Sequence, residues 1–224
     1  MIKIENTWVG GFENAIRGMR MPYESFDKSD SVFYPCDFRE GECDSCRFRD
    51  IPCNITQVKI GPDDMALCKK LIKAGSEHRK FLRMIHVQCE IRAPRYWLTE
   101  LDTYKVGTVR NSSSTMHLIT KRPLTINDFS YDTPNDGFQF TIRHFNNLIK
   151  EHNEKETKTE KDEVFRKLKQ LLPESFMQRI MWDANYEVLM TIYRQRKNHR
   201  LHEWHKFCDW ILTLPYMSEF LEVE

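Results

Sequence analysis

Four cysteines, Cys36, Cys43, Cys46 and Cys53, stand in a C-x6-C-x2-C-x6-C spacing within SVFYPCDFREGECDSCRFRDIPCNI. Two thiolates separated by two residues can grip one metal ion from a single turn, and the outer pair would complete a four-thiolate tetrahedral shell. Zn(II) suits that shell and an iron–sulfur cluster is the other occupant. Four reduced thiols in a Cys-rich insertion over 30–56 are the plain alternative. His199, His202 and His205 in NHRLHEWHKF recur at intervals of three, roughly one helix face, with Glu203 beside them. They are a second metal candidate or an ordinary polar helix face. The serine run 112–114 has no neighbouring motif that would activate a hydroxyl as nucleophile, so it reads as a loop. Lys105-Val106-Gly107 lacks the GxxxxGK spacing of a phosphate-binding loop.

These groups must be carried by a chain of 224 residues, 40% hydrophobic and 30% charged, with a formal net charge of +1. That is an ordinary globular composition, long enough for a sizeable core, and we expect a single domain over 1–224. Near-neutral charge gives no reason to expect a nucleic-acid partner. No stretch approaches the roughly 18–20 apolar residues of a membrane helix, and the N-terminus has no basic-then-apolar leader. A cytoplasmic setting is therefore expected, and with it reduced or metal-bound cysteines rather than disulfides.

The elements that would position the candidates follow from periodicity. Residues 1–8 alternate as a strand, and 12–19 form a short helix. Residues 21–60 are turn-rich. Gly61-Pro62-Asp63-Asp64 opens a helix whose apolar face is Met65, Leu67, Cys68, Leu71 and Ile72, with Gly75 at its end. The β-branched and apolar run 81–91 predicts a buried strand, and Ala93-Pro94 the start of a helix faced by Tyr96, Trp97 and Leu101. Residues 107–114, small and polar, predict a loop or a helix start, and 121–137 is irregular. Helices follow over 138–150, 164–172, 186–196 and 201–212, with the polar run 151–163 as a solvated helix end and loop. Many helices and few strands make the class α+β.

Three segments resemble, in order, the flavin-dependent thymidylate synthases. LLPESFMQRIMWDANYEVLMTIYRQR (171–196) is similar to that family's Leu-Pro, Asn and Arg pattern. HVQCEIRAPRYWLTELD (86–102) resembles its strand ending in Ala-Pro. YKVGTVRNSSSTM (104–116) occupies the place of its signature RHRxxSxNxxSxR, where Asn111 and Ser114 match. The resemblance spans about residues 76–214. It implies an α+β fold with a central mixed or antiparallel sheet and long helices. It also implies a homotetramer with active sites at subunit interfaces, making dTMP from dUMP with FAD, NADPH and methylenetetrahydrofolate. By the same token Arg196 would grip the pyrimidine, as the residue closest to a catalytic role. Lys169 would bind the phosphate, with Ser114 in the nucleotide pocket. Asn185, Asn111, Lys105, His78 and His199 would lie along the flavin, and Trp97 and Trp182 could stack on a flavin or base, although core packing is the commoner use of such rings.

The departures are as specific as the matches. Tyr104, Lys105 and Val106 replace Arg-His-Arg, Val109 replaces the first Ser, and Met116 replaces the last Arg; Thr191 stands where a second Asn is usual. Three arginines lost against one lysine gained removes two formal charges from an anion-binding site. At about 1.5–3 kcal/mol per charge-assisted hydrogen bond, nucleotide and flavin binding would weaken by orders of magnitude unless compensated. Arg92, Arg95 and Arg110 are near enough in sequence to compensate. The expectation is a diverged pyrimidine-nucleotide enzyme of this type acting on dUMP or an analogue. The alternative is a non-catalytic nucleotide- or protein-binding homologue that kept the scaffold, with or without a structural zinc site over 36–53.

Overall fold

The structure, a computed structural model, describes residues 2–33, 58–132 and 135–223. In chain order the elements are β1 (Lys3–Gly10), α1 (Phe12–Arg20), β2 (Val32–Phe33), β3 (Val58–Lys59), α2 (Pro62–Lys73), β4 (His86–Pro94) and α3 (Arg95–Leu101). There follow β5 (Thr108–Ser112), α4 (Thr115–Leu118), α5 (Asp136–Glu154), α6 (Lys158–Leu171), β6 (Met177–Asn185), α7 (Tyr186–Arg196), α8 (His202–Leu212) and α9 (Met217–Leu221). A four-stranded antiparallel sheet has the order β1-β4-β6-β5. The α+β class expected from the sequence is what the chain adopts.

The chain divides into two compact units. The first comprises Met1–Lys3, Ile91–Thr103 and Asn111–Ile180. Its core is built by α5 and α6, which pack against each other and bury Phe138, Ile142, Phe145, Val164 and Leu168. Both helices have side-chain caps. Asn135 accepts from the Phe138 N–H at 2.9 Å. Thr157 and Glu160 form a reciprocal capping box that satisfies two otherwise orphaned donors. That box explains a departure from expectation: most of 151–163 is helix, and only 155–157 interrupt it.

The second unit comprises Ile4–Glu90, Tyr104–Arg110 and Met181–Glu224. Edge-to-face aromatic contacts hold it, with Phe12 5.5 Å from Tyr186 and Trp182 5.8 Å from Phe207 between ring centroids. A buried ion pair, Arg20 Nε to Asp64 Oδ1 at 2.6 Å, ties α1 to α2. Ser29 and Ser31 donate to the other Asp64 oxygen at 2.7 and 2.6 Å. Asp30 caps α2 by accepting from the Asp63 and Asp64 N–H groups at 2.9 and 3.0 Å. Gly75 closes the helix region with φ +106°, a left-handed conformation glycine adopts without Cβ strain.

Two strand readings change. The run 81–91 is strand only from His86; Arg79–Met84 is a 3-10 helix. Arg79 and Arg83, four residues apart, both bond the Glu187 carboxylate, which a helical turn permits and a strand does not. Residues 107–114, expected as a loop or helix start, contain β5 at the sheet edge. No residue of β5 is fully buried, and its half-buried side carries Thr108 and Arg110, so no apolar alternation marked it.

Candidate functional site

In the second unit the expected residues gather around the turn before β5. Asn185 ends β6 and is the N-cap of α7, its Oδ1 accepting from the Val188 N–H at 3.1 Å. That bond fixes the amide, and its Nδ2 faces Gly107. A Cβ at Gly107 would stand 2.6 Å from Asn185 Nδ2, and φ there is +75°, so the position requires glycine on both counts. Arg196, in the last turn of α7, donates from Nε to the Tyr104 hydroxyl at 2.9 Å. The same hydroxyl donates to Gln195 Oε1 at 2.9 Å. The Arg196 guanidinium lies 5.6 Å from the Tyr104 ring centroid and 4.9 Å from that of Trp204, which is fully buried. A cation packed against two rings that themselves touch edge-to-face at 6.2 Å has its plane oriented before any ligand arrives.

His199 adjoins this group, its ring 6.2 Å from Trp204. Its Nδ1 accepts from the Leu201 N–H at 3.2 Å, so the neutral ring carries its proton on Nε2. Lys105 and His78 are exposed, the first in the turn before β5 and the second preceding the 3-10 helix. Among the described residues the histidine metal alternative finds no converging ligand set; His205 Nε2 donates to the His199 carbonyl at 2.6 Å. Cys36, Cys43, Cys46 and Cys53 lie outside the described residues.

The first unit holds the others. Ser114 is the N-cap of α4 and accepts from the Met116 N–H at 3.2 Å. Lys169, in the last turn of α6, donates from Nζ to Thr115 Oγ1. Partial burial pushes the Lys169 ammonium below the ordinary lysine range, and the Arg95 charge adds to the effect. Asn111 is exposed on β5. Of the arginines expected to compensate, Arg95 pairs with Glu174 at 3.3 Å, and Arg92 donates to the Asn127 carbonyl at 2.7 Å.

Ser114 and Thr115 line an open cleft of about 610 Å³, wholly within the first unit. Arg92, Lys121, Arg122 and Arg179 also line it, with Asp128 as the carboxylate. Arg122 clasps Asp128 through both guanidinium ends, at 2.8 and 2.5 Å. The hydrogen bonds from Arg122 hold the Asp128 carboxyl below the usual carboxylate range despite its partial burial. Lys121, Arg122, Asp128 and Arg179 were not singled out from the sequence, and Tyr104 was read there only as the loss of a signature arginine. Arg179 could have been found, because Ile180, Trp182 and Ala184 alternate inward and put 179, 181 and 183 on the open face. Trp97 and Trp182, offered as stacking platforms, are buried in the core at 0% and 2% exposure.

No protein-family model matches the chain, and no curated protein matches it. Solved structures do. A thymidylate synthase X from Helicobacter pylori, solved with FAD and dUMP, superimposes with a TM-score of 0.66 at 17% identity, covering 99% of this chain and 97% of that one. A second structure of the flavin-dependent enzyme from that organism, also with FAD and dUMP, gives 0.63 at 16% identity with 97% of each chain covered. PolB, a UMP/dUMP methylase from Streptomyces cacaoi bound with 5-Br dUMP, gives 0.54 at 11% identity, covering 99% of this chain and 94% of that one. At these identities the likeness establishes the fold: the chain folds as the flavin-dependent thymidylate synthases do.

Proposed function

We propose that the protein is a flavin-dependent enzyme of the thymidylate synthase type that methylates a uracil mononucleotide, dUMP or an analogue. The observation that carries this is the Tyr104–Arg196–Trp204 group beside Asn185, where a guanidinium is oriented by two aromatic faces and one hydroxyl. The solved structures of like fold hold dUMP or 5-Br dUMP, and two of them FAD. An oriented guanidinium offers a planar fork of donors to a pyrimidine carbonyl edge.

The residues fit a flavin at its ring. The Asn185 amide is fixed by its own capping bond, and Lys105 and His199 add a cation and an imidazole within the same unit. Asn185, Asn111, Lys105, His78 and His199 would hold FAD, which when bound supplies the reducing equivalents of the reaction. Arg196 would orient the pyrimidine, and Lys169 and Ser114 would bind on the phosphate side. NADPH and methylenetetrahydrofolate are the proposed co-substrates, and a homotetramer the proposed assembly. Methylation at C5 must expel the proton there, so [5-3H]dUMP incubated with the FAD-loaded protein, NADPH and methylenetetrahydrofolate should release tritium to water. Tight binding of FAD and dUMP with no release under any of these conditions would instead establish the non-catalytic homologue.

A further inference from the structure

Gln195 and Arg196 are neighbours in the last turn of α7, so their side chains leave the helix about 100° apart. Both heads nevertheless reach one atom. Arg196 Nε donates to the Tyr104 hydroxyl at 2.9 Å, and that hydroxyl donates to Gln195 Oε1 at 2.9 Å. All three residues belong to the second unit. The Tyr104 ring is itself held edge-to-face on the buried Trp204, 6.2 Å between centroids.

The order of donation is forced. A guanidinium only donates, so the phenol oxygen accepts from Arg196 and its single proton is left for Gln195. That proton settles which end of the amide is which. Oε1 is turned to Tyr104, and Nε2, with both of its protons, is turned away from it. Gln195 is exposed, and its Nε2 has no hydrogen-bond partner among the described residues.

A free glutamine reads donors and acceptors alike, because its amide can turn to offer either end. Here turning would break the bond to Tyr104. Gln195 and Arg196 together therefore present donors and no acceptor. Uracil has a carbonyl at C4 where cytosine has an amine. A locked N–H donor bonds the carbonyl and meets the amine donor to donor, so it attracts one base and repels the other.

We propose that Gln195 is the specificity-determining residue for the base: its locked Nε2 donates to the 4-carbonyl of a uracil and turns away cytosine. Tyr104 is the positioning residue that holds the lock. This rests on the functional reading above, in which Arg196 holds the pyrimidine.

Titration calorimetry of dUMP and dCMP, with FAD added, into wild type and three variants tests it, with circular dichroism as the fold control. Wild type should prefer dUMP. Gln195→Ala should bind dUMP about 3- to 10-fold more weakly, the worth of one neutral hydrogen bond, and dCMP no more weakly. Gln195→Glu, which offers acceptors only, should reverse the preference. Tyr104→Phe should free the amide to turn and raise dCMP affinity relative to dUMP, whereas a merely structural role for the hydroxyl would weaken both nucleotides alike. A folded Gln195→Ala protein with the wild-type preference would overturn the role of Gln195, while its binding of dUMP would leave the nucleotide reading intact. A wild type that prefers dCMP would overturn the base assignment, and one that binds neither nucleotide would overturn the functional reading and this inference with it.

Discussion

Tyr104 and Arg196 hold one another across 92 positions of sequence: the guanidinium Nε donates to the phenol oxygen at 2.9 Å while its plane lies 5.6 Å from the ring centroid. Tyr104 stands where the resemblance would put the signature's first arginine, and there it orients Arg196. Tyr104→Phe keeps the ring and removes the hydroxyl. It should weaken dUMP binding about 10-fold, at the lower end for a hydrogen bond to a charged group, with little change in thermal stability. Calorimetry on the FAD-loaded protein reads this directly. Equal affinity in the variant would show that the hydroxyl does not position Arg196 for ligand.

Lys169 has an ammonium that burial, and then Arg95, push below the ordinary lysine range. The protonated form is the one that binds phosphate. Affinity for dUMP should therefore fall as pH rises through that depressed value, earlier on the alkaline side than a free lysine would dictate. Lys169→Ala should bind more weakly at neutral pH and lose this limb of the profile. A Lys169→Ala profile identical to the wild type would exclude the residue from phosphate binding.

Asp64 is fully buried against Arg20. Burial raises its pKa, but hydrogen bonds from Ser31, Ser29 and Arg20 outweigh that and leave it lowered. A carboxyl with a depressed folded pKa contributes stability that is present above its unfolded pKa and lost as pH falls through the folded one. Asp64→Asn leaves the buried guanidinium without its counter-charge and should cost about 3–5 kcal/mol at neutral pH in urea unfolding. The gap between variant and wild type should narrow below the ordinary carboxylate range. A gap that stays constant well below that range would mean the ion pair is not the source of the loss.

The seven cysteines should separate by reactivity. Burial pushes the Cys68 and Cys89 thiols up to about 12 and Cys208 to about 11, with nearby carboxylates adding to it. Thiols this reluctant to ionise should resist iodoacetamide at neutral pH in the native state. For Cys36, Cys43, Cys46 and Cys53, which lie outside the described residues, the spacing leaves one shared metal ion or four reduced thiols as the two readings. Mass spectrometry of alkylated native protein, with metal analysis of wild type and a Cys43→Ser, Cys46→Ser double variant, checks both. Equal zinc in the two proteins would remove the metal site, and early labelling of Cys68 would contradict its burial.

How far the sequence could be read depended on where the signal lay. The helices of α2, α5, α7 and α8 were legible because apolar residues recur at helical spacing. Asn185 and Arg196 were singled out on their spacing from Leu172-Pro173, and their roles toward a ligand are the reading proposed above. β5 was not, since the half-buried side of this edge strand carries Thr108 and Arg110 and no apolar residue to mark it. The cation cleft was invisible for a different reason. Arg92, Lys121, Arg122 and Arg179 are spread over 88 positions, and only strand pairing and the turn after α4 bring them together. Tyr104 looked like a loss because its partner, Arg196, is a whole subdomain away in sequence.

The central claim is that one protein carries a flavin and a pyrimidine nucleotide together, and titrating dUMP into FAD-reconstituted protein while recording the flavin absorption tests it most directly. The account predicts a yellow protein whose flavin bands shift saturably with dUMP and do not shift with a purine mononucleotide. A colourless protein that takes up no FAD, or a flavin spectrum indifferent to dUMP, would contradict it.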